Sequence, residues 1–312
     1  MPADRGPVAS VVIPTHNRAR LVRSAVRSVL DQTFGPLEII VVDDGSTDAT
    51  RESVESLQSD EIRYVRHERR RGAGAARNTG IRLARAEYVG FLDDDDEWFA
   101  EKIEKQMGVF ERSPRDVALV YTGYHIVSGV SHQIASTWIP EERVLGYTDF
   151  LLSTSFMTSI PLIRKSCLHS VGLFDEDLPG CQDYDMWIRL SERYAFRAVP
   201  EVLARHFIHG DQITTNLETK IHAKEGVLRK HRERLERHPD ILARQLERLG
   251  VLHCAAGAFA KGRAHLSESL RLDPSREQVR EHLMRSNSDP EQHREFLMRH
   301  GFKAVEGIPR FY

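Results

Sequence analysis

Five consecutive acidic residues, Asp93, Asp94, Asp95, Asp96 and Glu97, follow the short apolar run Tyr88-Val89-Gly90-Phe91-Leu92. Carboxylates this close raise one another's pKa unless a cation relieves the repulsion. A hard divalent ion such as Mg2+ or Mn2+ suits that task, because it takes oxygen ligands and keeps positions for substrate phosphates. The plainer reading is an acidic helix start, since negative charge is favourable at the positive end of a helix dipole. A second acidic group, Asp43-Asp44-Gly45-Ser46-Thr47-Asp48, has turn and helix-cap chemistry as its plain reading. In Gly72-Ala73-Gly74 the small residues would let backbone N–H groups approach a phosphate, and Arg77 could add a charge-assisted hydrogen bond. The third glycine of a dinucleotide fingerprint is missing, and tight helix packing explains the same residues. Asp183 and Asp185 open an amphipathic pattern at Gln182; residues two apart do not share a helix face, which leaves one to face a cleft while the other caps or pairs. The polar stretch 153–159 suits a binding loop, although an ordinary surface loop is the default.

Positioning these groups requires strands that end where the carboxylates begin. Apolar runs predict strands at 8–13, 37–42, 62–66 and 88–92, and helical periodicity predicts helices at 19–30, 49–59, after Gly72 and from about 97 to 112. Strands alternating with helices imply an α/β fold with a mainly parallel sheet and helices on its faces, and ligands in such sheets bind beyond the carboxyl ends of the strands. Pro14 is expected to end the first strand, so that 14–18 form a loop. Further strands are predicted at 117–124, 126–134, 160–164 and 196–205, with helices at 147–152, before Val171 and from Gln182.

From Asn216 onward the chain reads as helical and dense in Arg, Glu, His and Leu. Leu249-Gly250, Gly257-Ala258-Phe259, Ala264, Leu270 and Asp273-Pro274 resemble one tetratricopeptide hairpin. A single hairpin cannot bury its own face, so it is expected to dock on the first domain, on neighbouring helices or on another copy, the last giving a homo-oligomer. The predicted division is a 1–215 α/β domain and a 216–312 helical region.

Composition narrows the function. With 40% hydrophobic and 29% charged residues the 312-residue chain fits a soluble globular protein of one large domain plus an appendage. The net charge of -2 provides no global field for nucleic acid. Cys167, Cys181 and Cys254 have neither metal-ligand spacing nor an even count, which fits a reducing cytoplasm. No signal core or membrane-spanning run is present, so membrane contact would be peripheral, at the inner face.

Pro14-Thr15-His16-Asn17-Arg18, Val42-Asp43-Asp44-Gly45-Ser46, Gly74-Ala75-Ala76-Arg77-Asn78, Phe91-Leu92-Asp93-Asp94-Asp95-Asp96 and Phe174-Asp175-Glu176 followed by Asp183-Tyr184-Asp185 occur in one order. Together, over about residues 8–215, they resemble the family-2 glycosyltransferases of the GT-A fold. The resemblance implies that Pro14, Thr15, Asn17 and Arg18 line a nucleotide and that Asp44, with Asp43 beside it, holds a uracil. Arg77 and Asn78 would lie near the diphosphate or ribose. The family's Asp-x-Asp motif maps to Asp93, near the ribose, and Asp95, a direct Mn2+ or Mg2+ ligand, with Asp94 between them in the cofactor-binding set. Asp183 maps to the catalytic base; the preceding residue, usually Glu, is Gln182 here, which removes a nearby charge. The family often places a His in the loop after the last of these strands, which brings His209 toward the metal, whereas His206 reads as a satisfied surface histidine. The implied reaction is inverting transfer of a sugar from a UDP-sugar to a hydroxyl of a glycan, lipid or small molecule. Two alternatives compete. A metal-dependent nucleotidyltransferase would carry a Gly-rich triphosphate loop after the first strand, where this chain has Pro14 to Arg18. A non-enzymatic nucleotide-sugar scaffold would have no need of Asp183.

Overall fold

The computed structural model describes residues 6–152, 157–209 and 216–300. The four apolar runs form β1 (Ala9–Thr15), β2 (Leu37–Asp43), β3 (Ile62–Arg66) and β4 (Tyr88–Phe91), all parallel, in the order β3-β2-β1-β4. Every residue of β1 and β2 is buried, as expected for central strands covered on both faces. Helix α1 (Ala19–Leu30) turns Val22, Ala25, Val26 and Val29 inward, the spacing of one helical stripe. Helix α2 (Thr50–Glu55) is shorter than the periodicity suggests, the chain leaving the helical path by Gln58, whose φ is 49°.

Helix α3 (Ala73–Leu83) packs on β1 through Gly80, where a Cβ would run into the isopropyl group of Val12, whose own Cβ would lie 3.0 Å away. Gly80→Ala is therefore expected to destabilise by about 1–3 kcal/mol in urea unfolding, although Ala is the better helix former by about 1 kcal/mol. The overpacking term wins because Val12 is fully buried and has no room to retreat.

The sheet continues β4-β8-β6-β9-β5, with β7 on the flank of β6. These are β5 (Asp96–Trp98), β6 (Val117–Ser128), β7 (Ile134–Trp138), β8 (Leu162–Arg164) and β9 (Ala195–Ile208). β8 runs antiparallel to β4 and β6, β9 parallel to β6, and β5 antiparallel to β9, so a mixed half extends the parallel half. Helices α4 (Lys102–Glu111), α6 (Lys165–Val171) and α7 (Gln182–Ser191) belong to this unit.

Three expectations change here. The helix predicted from about 97 begins at Lys102, because Asp96, Glu97 and Trp98 pair with His206, Arg205 and Ala204 of β9. The two strands predicted over 117–134 are one strand to Ser128 and a second from Ile134, since β9 offers a partner along the whole of β6. β1 also runs through Pro14 to Thr15: β4 pairs with β1 only as far as Val12, so at Pro14, opposite Val42, β1 keeps a neighbour on one side alone.

A second compact unit gathers 148–152 and 177–181 with the helices after residue 216. The segment 148–152 is most of α5 (Tyr147–Leu152), and the later helices are α8 (Leu217–Lys230), α9 (Arg232–Leu235), α10 (Pro239–Ala255), α11 (Phe259–Leu272), α12 (Glu277–Ser288) and α13 (Pro290–His300). The hairpin read from sequence is α10 and α11. Its apolar residues Val251, Cys254, Ala255 and Leu266 are buried with Val279 of α12 and Leu297 of α13, while Leu249 and Leu252 meet Ile221 of α8. Neighbouring helices thus cover the face that one hairpin leaves open. Among the described residues no helix is long and apolar enough to cross a membrane.

Candidate active site

The strand order reverses at β1, with β2 and β3 on one side and β4 on the other. A crevice at the carboxyl ends of β1 and β4 is the position where such sheets take ligands. Side chains from both loops meet across it. Thr15 Oγ1 donates to Asp94 Oδ2 at 2.7 Å, and Arg18 Nη1 reaches Asp94 Oδ1 at 2.8 Å and Asp95 Oδ2 at 2.6 Å. Burial raises the pKa of Asp94 to about 7, with Asp95 adding to the rise and Arg18 opposing it.

Each carboxylate of the acidic run has a basic partner. Asp93 takes Arg77 Nη2 at 2.6 Å, Asp94 takes Arg18, and Asp95 takes Arg18 and His209 Nε2, the latter at 2.8 Å. Asp96 takes His206 Nδ1 at 2.8 Å, and Glu97 takes Arg205 at 3.3 Å. The acidic helix start is therefore not what these residues form. The sequence reading of His206 as a surface histidine does not hold: it is buried, because β9 carries it inward opposite Asp96. Burial pushes the Asp96 carboxyl up and His206 partly restores it; burial also works against His206, yet Asp96 leaves the imidazole above its ordinary value. Ser159 Oγ donates to Asp96 at 2.6 Å and accepts the Asp93 N–H at 3.1 Å, which fixes the base of the run.

The metal expectation can be tested on geometry. Neighbouring ligands on an octahedral ion with bonds of about 2.1 Å stand about 3.0 Å apart. Asp95 Oδ2 and His209 Nε2, at 2.8 Å, meet that requirement. Among the described residues no third His, Cys, Asp or Glu closes a three-ligand group with them, so this pair fits an ion that completes its shell with substrate oxygens and water.

The loop after β2 forms an adjoining network. Asn17, at φ 53°, donates its N–H to Ser46 and accepts the Thr47 N–H at 2.7 Å, joining the β1 and β2 loops. Asp43 accepts from Ser46 N at 2.7 Å and from the Tyr64 hydroxyl. Asp44 accepts the N–H groups of Arg71 at 2.8 Å and Gly72 at 2.7 Å, and pairs with the buried His67. Gly72, at φ 94°, opens α3, and at Gly74 a Cβ would come within 2.9 Å of the Gln182 amide. Close helix packing is thus one use of these small residues. Asn78 is buried and holds the backbone of Phe174 at both its N–H and C=O, as well as Glu176, all at 2.9 Å. It tethers 174–176 to α3.

Asp183 lies in the first turn of α7 and accepts the Tyr184 N–H at 2.8 Å and, at 3.4 Å, the Thr158 hydroxyl. Burial raises its pKa, the Arg77 charge draws it down, and Asp93 adds to the rise. Arg77 therefore acts on Asp93 and Asp183 together. Asp185 is fully buried and paired with Arg189, so the two carboxylates divide into a half-buried one beside the acidic run and one built into the fold. Sequence reasoning passed over His67 and the burial of His206, neither of which stands in a motif. Of the polar loop read from sequence, 153–156 lie outside the described residues, while Thr158 and Ser159 both reach this site.

Solved structures share this fold. A solved structure of TarS 1-349 from S. aureus in complex with UDP-GlcNAc superposes with a TM-score of 0.66 at 19% identity, covering 94% of this chain and 92% of that one. The mannosyltransferase PcManGT from Pyrobaculum calidifontis, in complex with GDP-Man and Mn2+, gives 0.57 at 17% identity, covering 96% and 85%. Both likenesses show a common GT-A-like fold. A glycosyltransferase of Rickettsia prowazekii is 34% identical over 213 residues, which span 67% of this chain and 66% of that protein. The model of glycosyl transferase family 2 matches residues 10–171, just over half the chain and the stretch that carries the crevice, so this protein belongs to glycosyl transferase family 2.

Proposed function

We propose that the chain is an inverting, metal-dependent glycosyltransferase that moves a sugar from a nucleotide diphosphate, with a UDP-sugar as donor, to a hydroxyl of a glycan, lipid or small molecule. The observation that carries this reading is Arg77, which bonds Asp93 at 2.6 Å while its charge acts on Asp183, joining the acidic crevice and a second carboxylate in one site. Thr15, Arg18 and the β2 loop bind the nucleotide at the ends of the strands. Arg18 and Arg77, which bond Asp93, Asp94 and Asp95, are guanidinium groups placed to meet a diphosphate. A divalent cation held by Asp95 and His209 would neutralise charge developing on the departing diphosphate. Asp183 accepts the acceptor hydroxyl's proton as that oxygen attacks the anomeric carbon in line.

Asp95→Asn keeps the side chain's size but removes a charged ligand. It is expected to weaken Mn2+ and UDP-sugar binding together, by more than about tenfold. Calorimetry with UDP-GlcNAc in the presence and absence of Mn2+ measures both, and an unchanged Mn2+-dependent affinity would overturn the assignment. Incubation of the wild type with a panel of nucleotide sugars, followed by slow donor hydrolysis, tests turnover itself and separates an enzyme from a binding scaffold.

A further inference from the structure

The second unit contains a polar cluster that the transfer reaction does not use. Glu225 of α8, His253 of α10 and His265 of α11 offer one ligand atom each, all within 4.8 Å of one another. Glu225 Oε1 and His253 Nε2 are 3.0 Å apart, and the His253 and His265 rings stack at 5.4 Å with 18° between their planes. His253 is buried; Glu225 and His265 are half-buried, so the cluster lies at a three-helix junction with one side open. We propose that Glu225, His253 and His265 bind a divalent transition-metal ion of the zinc class, which ties α8, α10 and α11 together.

Two properties support this. Two imidazoles and one carboxylate are a donor set that zinc takes, with a fourth position left for water. Ligands on a tetrahedral ion with bonds of about 2.0–2.1 Å stand about 3.3 Å apart, so the Glu225–His253 edge is nearly in place, and His265, whose ligand atom lies within 4.8 Å of both, closes the site by turning its ring.

The surrounding charges are modest. His222 and Lys261 bear on His253 from α8 and α11, both exposed, and Glu268, which favours a cation, bears on His265. Cys254, next to His253, contributes no ligand: it is buried against Gly262, where a Cβ would come within 2.4 Å of its sulfur.

The test uses the full chain, chelator-treated and titrated with ZnCl2. One equivalent of zinc is expected to bind and raise Tm, and it should still bind to the Asp95→Asn protein, which separates this site from the crevice. Glu225→Gln and His265→Gln, both at half-buried positions that tolerate an amide, should each weaken zinc binding by more than about tenfold. Cobalt bound in place of zinc should show tetrahedral visible absorption that His265→Gln removes. Zinc affinity unchanged in both variants, or no zinc bound once Asp95 is replaced, would overturn the proposal.

Discussion

Asp183→Asn is expected to leave nucleotide-sugar and metal binding in place while turnover falls by roughly a hundredfold to ten-thousandfold, the usual effect of losing a positioned base. An asparagine oxygen can still accept the Tyr184 N–H that Asp183 accepts at 2.8 Å, so α7 keeps its start. What disappears is the capacity to take a proton. The pH profile of the wild type carries the same signature. Asp183 works as the ionised carboxylate, and burial holds its pKa above the ordinary range, so activity should be lost as pH falls through that raised value, on an acid limb above that of a solvated aspartate. Because Arg77 opposes the rise, Arg77→Met should move the acid limb higher still. Single displacement also sets the stereochemistry, an α-linked donor giving a β-linked product. An anomeric coupling constant reporting retention, or a fully active Asp183→Asn enzyme, would remove Asp183 from this role.

The second large effect is on folding. Arg189 binds Asp185 twice, at 2.8 and 3.0 Å, and donates to the carbonyls of Val171, Gly172 and Leu173 at 2.7, 2.7 and 2.9 Å. Its side chain is 13% exposed and that of Asp185 is 0% exposed. Removing one partner of such a pair strands a buried charge, at about 3–5 kcal/mol, against a typical total stability of about 5–15 kcal/mol. Arg189→Ala should therefore lower the urea midpoint steeply, and the double variant Asp185→Leu with Arg189→Met should recover part of the loss, since it leaves no charge behind. Equal midpoints for Arg189→Ala and wild type would show that the pair carries no weight. The residues that Arg189 holds run directly into Phe174, which Asn78 tethers and whose ring lies 5.7 Å from the Arg77 guanidinium. Loosening 171–173 should thus reach Arg77 as well as the core.

The sequence by itself determined the elements that local chemistry controls. The apolar runs of β1 to β4 and the inward stripe of α1 follow from side-chain period, and the carboxylates after β2 and β4 fall at strand ends because the apolar runs stop there. The order of five short motifs was sufficient to identify the family, since each combines a strand end with particular polar residues. The sequence left open how that polarity is used, because a carboxylate's role depends on its partner. His206 and His209 stand 110 and 114 positions from the aspartates they meet, and no periodicity connects them. Asp96-Glu97-Trp98 carries the composition of a helix start, yet backbone groups offered by β9 make it a strand; tertiary pairing overrides propensity over so short a segment. Likewise Asp44 and Asn78, whose motifs suggested ligand contact, also bond the backbone of Arg71 and Gly72 and of Phe174, contacts between distant segments that no local spacing announces. The separation of Asp183 from Asp185, one beside the acidic crevice and one fully buried on Arg189, was likewise decided by how α7 packs, since a spacing of two residues fixes only that they point apart.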